Sequence, residues 1–231
     1  MAKLFLLRHL KSQWNLENRF SGWTDVPISK EGKKDALKKA KEVFKVKIDE
    51  VFTSPLFRNI DTVVRILDAG KQKHPIFISR DGGKTQKWGD YFEGPRNFMP
   101  VYVTKNLNER HYGKLEGLNK RRTIAKYGEK KVYLWRRSYN IAPPGGGESL
   151  KDVCRRTIPF YKKYIEKDLK AGKNILVVAS HNSLRALIKY IEKITDKDII
   201  NVEVDYGGLI KYEINKSLKI KSRKVLTVVK K

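Results

Sequence analysis

The run Asn174-Ile-Leu-Val-Val-Ala-Ser180 most restricts what this chain can become. An unbroken apolar stretch of strand length, bounded by polar residues, describes a strand buried on both faces. Such strands belong to parallel sheets covered by helices on each side. The residues that follow agree, because Leu184, Leu187, Ile188, Ile191 and Ile194 recur at helical spacing. Between strand and helix stand His181, Asn182 and Ser183. The N-terminus repeats the arrangement: Leu4–Leu7 is a short apolar run that ends on Arg8-His9. In open α/β sheets the functional groups sit at the carboxyl ends of the strands. One histidine at a strand end is more often packed than reactive, but two in one sheet can converge on a crevice. There a neutral imidazole can attack phosphorus and a neighbouring guanidinium can pair with phosphate oxygens.

The remaining pattern predicts a single α/β domain over 1–231, three-layered, with a mostly parallel central sheet and helices on both faces. Asn15 to Asp25 reads as a loop in which Ser21-Gly22 offers a hydroxyl and an approachable amide. Ser29 is set to cap a helix running to about Lys45, with Ala36, Leu37, Ala40, Val43 and Phe44 on its apolar face. Glu50–Thr53 is a strand, followed after Pro55 by a helix to about Asp68 that carries Arg58 in its first turn. A cation there opposes the helix dipole unless an anion joins it. Val101–Thr104 is another strand, leading to Glu109, Arg110, Tyr112 and Lys120, which can supply a proton donor and anion clamps. A helix should span about Glu148 to Leu169. The stretch at 71–99 reads as an inserted surface hairpin or flap, and the chain from about 216 as a basic tail.

Charge narrows the function classes. The formal net charge is +26, from 51 Lys and Arg against 25 Asp and Glu. The lysines are scattered rather than blocked, so the pattern favours solvated faces and a small anionic substrate over a specific nucleic-acid or membrane partner. One cysteine excludes an internal disulfide, and four separated histidines without metal-ligand spacing point to no metal. The apolar N-terminal run is too short for a secretory or membrane segment, so a cytoplasmic protein is expected.

Several ordered segments then carry a resemblance. They are Arg8-His9…Ser12…Trp14-Asn15, Asn18–Trp23, Thr53-Ser54…Arg58, Leu107–Gly113 with Gly117–Lys120, Trp135–Tyr139, Gly147–Asp152 and His181–Leu187. Together they resemble the cofactor-dependent phosphoglycerate mutases of the histidine phosphatase superfamily. The resemblance implies an isomerase of glycolysis and gluconeogenesis that interconverts 3- and 2-phosphoglycerate through a phosphohistidine, primed by 2,3-bisphosphoglycerate. It implies His9 as nucleophile, Glu109 as proton exchanger, and Arg8, Arg58 and His181 as electrostatic partners. By the same resemblance Asn15, Ser21, Gly22, Arg110, Tyr112, Lys120, Arg136, Arg137 and Asn182 hold substrate. It also implies a homodimer or homotetramer. The alternatives are a phosphatase of the superfamily or an impaired anion- or polyanion-binding relative. Two departures bear on the choice. Leu10 and Lys11 follow the nucleophile where the family has glycine and an acidic residue or glutamine. His181-Asn182-Ser183 is also one residue shorter than the family's His-Gly-Asn-Ser, which predicts a shift of His181 by about 3.5 Å, one backbone step.

Overall fold

The computed structural model describes residues 1–87 and 98–227. Its seven strands are β1 (Ala2–Arg8), β2 (Glu50–Thr53), β3 (Pro75–Ser79), β4 (Met99–Val103), β5 (Ile175–Ala179), β6 (Leu209–Ile214) and β7 (Ile220–Thr227). They form one sheet in the order β3-β4-β2-β5-β1-β6-β7. The five strands from β3 to β1 are parallel, and β6 and β7 add antiparallel edges.

Every residue of β5 is buried, as its unbroken apolar run requires. Alternation of side chains along the strands separates two cores. Leu4, Leu6, Phe52, Ile175 and Val177 face one layer, where Phe160, Leu184, Leu187 and Ile188 pack from helices Leu150–Phe160 and His181–Ile191. Phe5, Leu7, Val51, Leu176 and Val178 face the other, against Ala36, Ala40 and Val43 of helix Ala36–Val43 and Val63, Ile66 and Leu67 of helix Phe57–Ala69. Each buried aliphatic side chain contributes about 1.5–3 kcal/mol, so the two layers fix the strand register. That register sets Arg8 opposite Ala179 and Thr53 opposite Val178. The chain therefore leaves β1, β2 and β5 at one carboxyl edge.

Local details depart from the sequence pattern. Ser29 does cap its helix, accepting from the Gly32 amide at 2.9 Å, but the helix breaks into Lys30–Lys34 and Ala36–Val43, and Leu37 is exposed. The helix foreseen from Glu148 begins at Leu150 behind a Ser149–Asp152 capping box. It widens into a π-turn over Tyr161–Ile165, just after Pro159, whose missing N–H removes a ladder bond. Within 71–99, Pro75–Ser79 pairs in parallel with β4, so this stretch is no hairpin: parallel neighbours require a crossover. The aromatic segment beginning at Trp88 lies, to residue 97, outside the described residues. The basic tail is ordered sheet through Thr227, because its alternating residues complete β7 against β6. Among the described residues no helix is long and apolar enough to cross a membrane.

Candidate active site

The carboxyl edge opens into a cavity of about 160 Å³. His9 stands at its floor, only 2% exposed. Its amide donates to the Ala179 carbonyl at 3.1 Å, continuing the β1–β5 ladder one step past the strand. Its ring Nδ1 lies 2.7 Å from the Leu10 carbonyl. A carbonyl can only accept, so Nδ1 carries the proton and Nε2 keeps its lone pair. Burial, then the Arg58 and Arg8 guanidiniums, hold the imidazole well below its usual pKa. His9 is neutral at neutral pH.

Two arginines frame it. Arg8 donates to the Val204 carbonyl at 2.7 Å and stacks on the Tyr206 ring, 3.8 Å from its centroid. Arg58, in the first turn of its helix, donates to the Gly22 carbonyl at 2.7 Å and the Thr24 carbonyl at 3.0 Å. These bonds draw the 15–25 loop over His9. Gly22 adopts φ +47°, and a Cβ there would lie 1.9 Å from Glu116 Oε1, so only glycine fits. Ser21 Oγ and the Nε atoms of Arg8 and Arg58 are buried without a hydrogen-bond partner. Orphaned donors of this kind suit the oxygens of a bound anion.

Glu109 occupies the opposite wall, 7% exposed. Its Oε1 accepts from the Arg110 amide at 2.7 Å and from the Asn182 amide and Nδ2 at 3.1 and 2.8 Å. Burial alone raises a carboxyl, but His181, these N–H donors and Arg58 outweigh it and hold Glu109 below its usual range. The carboxylate is thus ionised. Lys120, buried beside Arg136 and Arg8, is lowered to about 8 and stays mostly cationic at pH 7.

The residues singled out from sequence divide into two groups. Arg8, His9, Asn15, Ser21, Gly22, Arg58, Glu109, Tyr112, Lys120, Arg136, Arg137 and His181 all line the cavity. Arg110 and Asn182 lie beneath it, fully buried, and are not part of its lining. Both Arg110 and Arg185 donate to Asn182 Oδ1, at 3.3 and 3.0 Å. That turns the Asn182 amide so its Nδ2 faces Glu109 and, at 3.2 Å, the Tyr112 hydroxyl. Each residue follows a lining neighbour in the chain, yet its own side chain points inward from the turn.

The departures after the histidines have local explanations. Leu10 has negative φ and packs with Phe5 and Leu7 in the second core layer, so its position needs no glycine. Lys11 turns away to pair with Glu31 at 3.1 Å. His181 still reaches the cavity, because Ser180 takes the N-cap position and His181 opens the helix. Its Nε2 lies 2.6 Å from Glu203 Oε2. Burial lowers His181 to about 3 despite that carboxylate.

Arg19, Phe20, Glu203, Asp205 and Tyr206 also line the cavity and went unforeseen. Arg19 and Phe20 adjoin Ser21 in a segment already marked by the motif. Glu203 and Asp205 alternate with Val202 and Val204, a pattern that reads as an ordinary extended segment.

A family model described as the histidine phosphatase superfamily, branch 1, matches residues 4–87 and 85–223. The chain is 43% identical over 216 residues to a 2,3-bisphosphoglycerate-dependent phosphoglycerate mutase of Methanococcus vannielii, covering 93% of this chain and 92% of that one. It is 40% identical over 232 residues to 2,3-bisphosphoglycerate-dependent phosphoglycerate mutase 1 of Gloeobacter violaceus, covering 98% and 100%. Among solved structures it is similar to mycobacterial hydrolase 1, with TM-score 0.75 and 20% identity over 98% and 97% of the two chains. A putative alpha-ribazole-5'-P phosphatase from Escherichia coli gives TM-score 0.72 and 22% identity over 98% and 96%. These structural likenesses speak to the fold.

Proposed function

The chain belongs to the histidine phosphatase superfamily, among the 2,3-bisphosphoglycerate-dependent phosphoglycerate mutases, and from that premise we propose how its own residues interconvert 3- and 2-phosphoglycerate. One observation carries the reading. A neutral imidazole with a free Nε2 shares one small cavity with an ionised carboxylate and with Lys120, Arg136 and Arg137.

His9 accepts and returns the phosphoryl group at Nε2, its ring held by the Leu10 carbonyl. Arg8, Arg58 and the Ser21 hydroxyl balance charge on the transferring oxygens, work done elsewhere by metals. The orphaned donors at Ser21, Arg8 and Arg58 also fit 2,3-bisphosphoglycerate, which when bound supplies the phosphoryl group that charges His9. From phosphorylated His9 the group passes to the free hydroxyl of a monophosphoglycerate, and Glu109 takes the proton that hydroxyl loses. The second phosphate then returns to His9, and Glu109 gives the proton back to the oxygen it leaves. Lys120, Arg136, Arg137 and Tyr112 hold the glycerate carboxylate and the phosphate not in transfer. That grip keeps the doubly phosphorylated species in place between the two half-reactions, and without it water competes.

The test is a coupled assay of 3-phosphoglycerate conversion, with and without 2,3-bisphosphoglycerate, on the wild-type chain and His9→Ala. Cofactor-stimulated conversion abolished by His9→Ala is expected. Release of inorganic phosphate without 2-phosphoglycerate would overturn the mutase reading in favour of hydrolysis.

A further inference from the structure

A cavity made for anions contains two acids that the proposed chemistry does not use, Glu203 and Asp205. Glu203 lies between the 3₁₀ turn Asp198–Asn201 and β6. Its carboxylate accepts from both terminal nitrogens of the Arg137 guanidinium and from His181 Nε2. The pairing is lopsided in exposure. The Glu203 side chain is 52% exposed, whereas those of Arg137 and His181 are 16% and 12% exposed. The acid therefore reaches in from the mouth, and the Arg137 guanidinium and the neutral His181 ring receive it from inside. Its backbone neighbour Val204 is held by Arg8, which ties the loop to the nucleophile end of the same cavity.

The planar fork of a guanidinium meets one carboxylate or phosphate edge at a time. While Glu203 holds that fork, an incoming anion meets Lys120 and Arg136 but not Arg137. We propose that Glu203 is a specificity-determining residue: it occupies the Arg137–His181 subsite as an internal carboxylate that the second phosphate of a bisphosphorylated ligand must displace. Inorganic phosphate, seated against Arg8, Arg58 and Ser21, needs no such displacement. The site consequently holds a bisphosphorylated three-carbon acid less tightly, relative to a lone phosphate, than its count of cations suggests. Half-exposed ion pairs are weak, so displacement is affordable to a dianion and the pair acts as a selector, not a block. This rests on the reading of Arg137 as a substrate clamp given above.

Equilibrium binding of 2,3-bisphosphoglycerate and of inorganic phosphate to the full chain tests it, at one pH and one ionic strength because both ligands are screened by salt. Glu203→Gln keeps the side chain's size and removes its charge, and Glu203→Ala serves as the second variant. Bisphosphoglycerate should bind about tenfold more tightly to both variants, equivalent to 1.4 kcal/mol, with phosphate changed less than about threefold. Adding Arg137→Gln to Glu203→Gln should erase the gain. Unchanged or weaker bisphosphoglycerate binding would overturn the proposal and make Glu203 a support for His181. Equal tightening of both ligands would overturn it too, as a general field effect. Failure of the mutase reading shows separately, as absent turnover in a protein whose two binding constants still respond as stated.

Discussion

Acid should loosen this protein above the ordinary carboxylate range, and the two cavity histidines drive the loss. His9 and His181 both have folded pKa values depressed below 6.5, the second to about 3, in each case first by burial. A depressed group binds fewer protons folded than unfolded. Its stabilising contribution is complete above 6.5 and is lost as pH falls toward the folded value. Between pH 6.5 and 5 His181 removes about 2 kcal/mol, at 1.36 kcal/mol per unit, and His9 adds to the loss in the same direction. Against a typical total of about 5–15 kcal/mol, that is a large fraction. Glu109 and Glu203 are also depressed, but their ordinary values lie below this window. Glu50 is raised, by burial first, and acts in the opposite sense. Urea denaturation of the wild type at pH 7, 6 and 5 should show the midpoint falling by at least roughly 1 M for an m-value near 2 kcal/mol/M. His9→Asn and His181→Asn should each reduce the slope, whatever offset they add at pH 7. A midpoint flat from pH 7 to 5, or a slope indifferent to both substitutions, would refute the reasoning.

Three further outcomes follow from named contacts. Leu10→Ala should cost about 2–5 kcal/mol in urea or thermal denaturation, because a fully buried side chain leaves a cavity in the second core layer. Ser21→Ala should leave stability unchanged or raise it by up to about 1 kcal/mol, since it removes an orphaned buried hydroxyl, yet should weaken phosphate in a binding titration. Asn182→Ser strips Glu109 of one donor and leaves Arg110 and Arg185 without their shared acceptor. It should destabilise the fold by about 2–3 kcal/mol and raise the acid limb of the kcat/KM pH profile by about one unit.

The strands that carry the chemistry were legible because their signal is local. Ile175–Ala179 and Leu4–Leu7 are apolar without interruption, and each ends on a histidine. The loop holding Glu109, Tyr112 and Lys120 was legible through its motif. Residues whose roles depend on side-chain direction were not. Arg110 and Asn182 adjoin cavity residues in sequence, but a turn sends their side chains under the floor. Glu203 and Asp205 reach the site only because β6 runs antiparallel beside β1, which delivers the preceding loop to the carboxyl edge. Leu10 looked like a misfit beside a glycine motif, yet its conformation was decided by a core that only the folded sheet reveals.

The sheet order also governs when the protein can come into being. β1 lies between β5 and β6, so both of its neighbours, Ile175–Ala179 and Leu209–Ile214, are translated long after it. At about 5–20 residues per second, the strand that ends beside His9 waits roughly 10–40 s on the ribosome for its last partner. Until Ala179 is made, Leu4, Phe5, Leu6 and Leu7 have no neighbouring strand to pair with. A chain interrupted before residue 209 leaves β1 with an open edge.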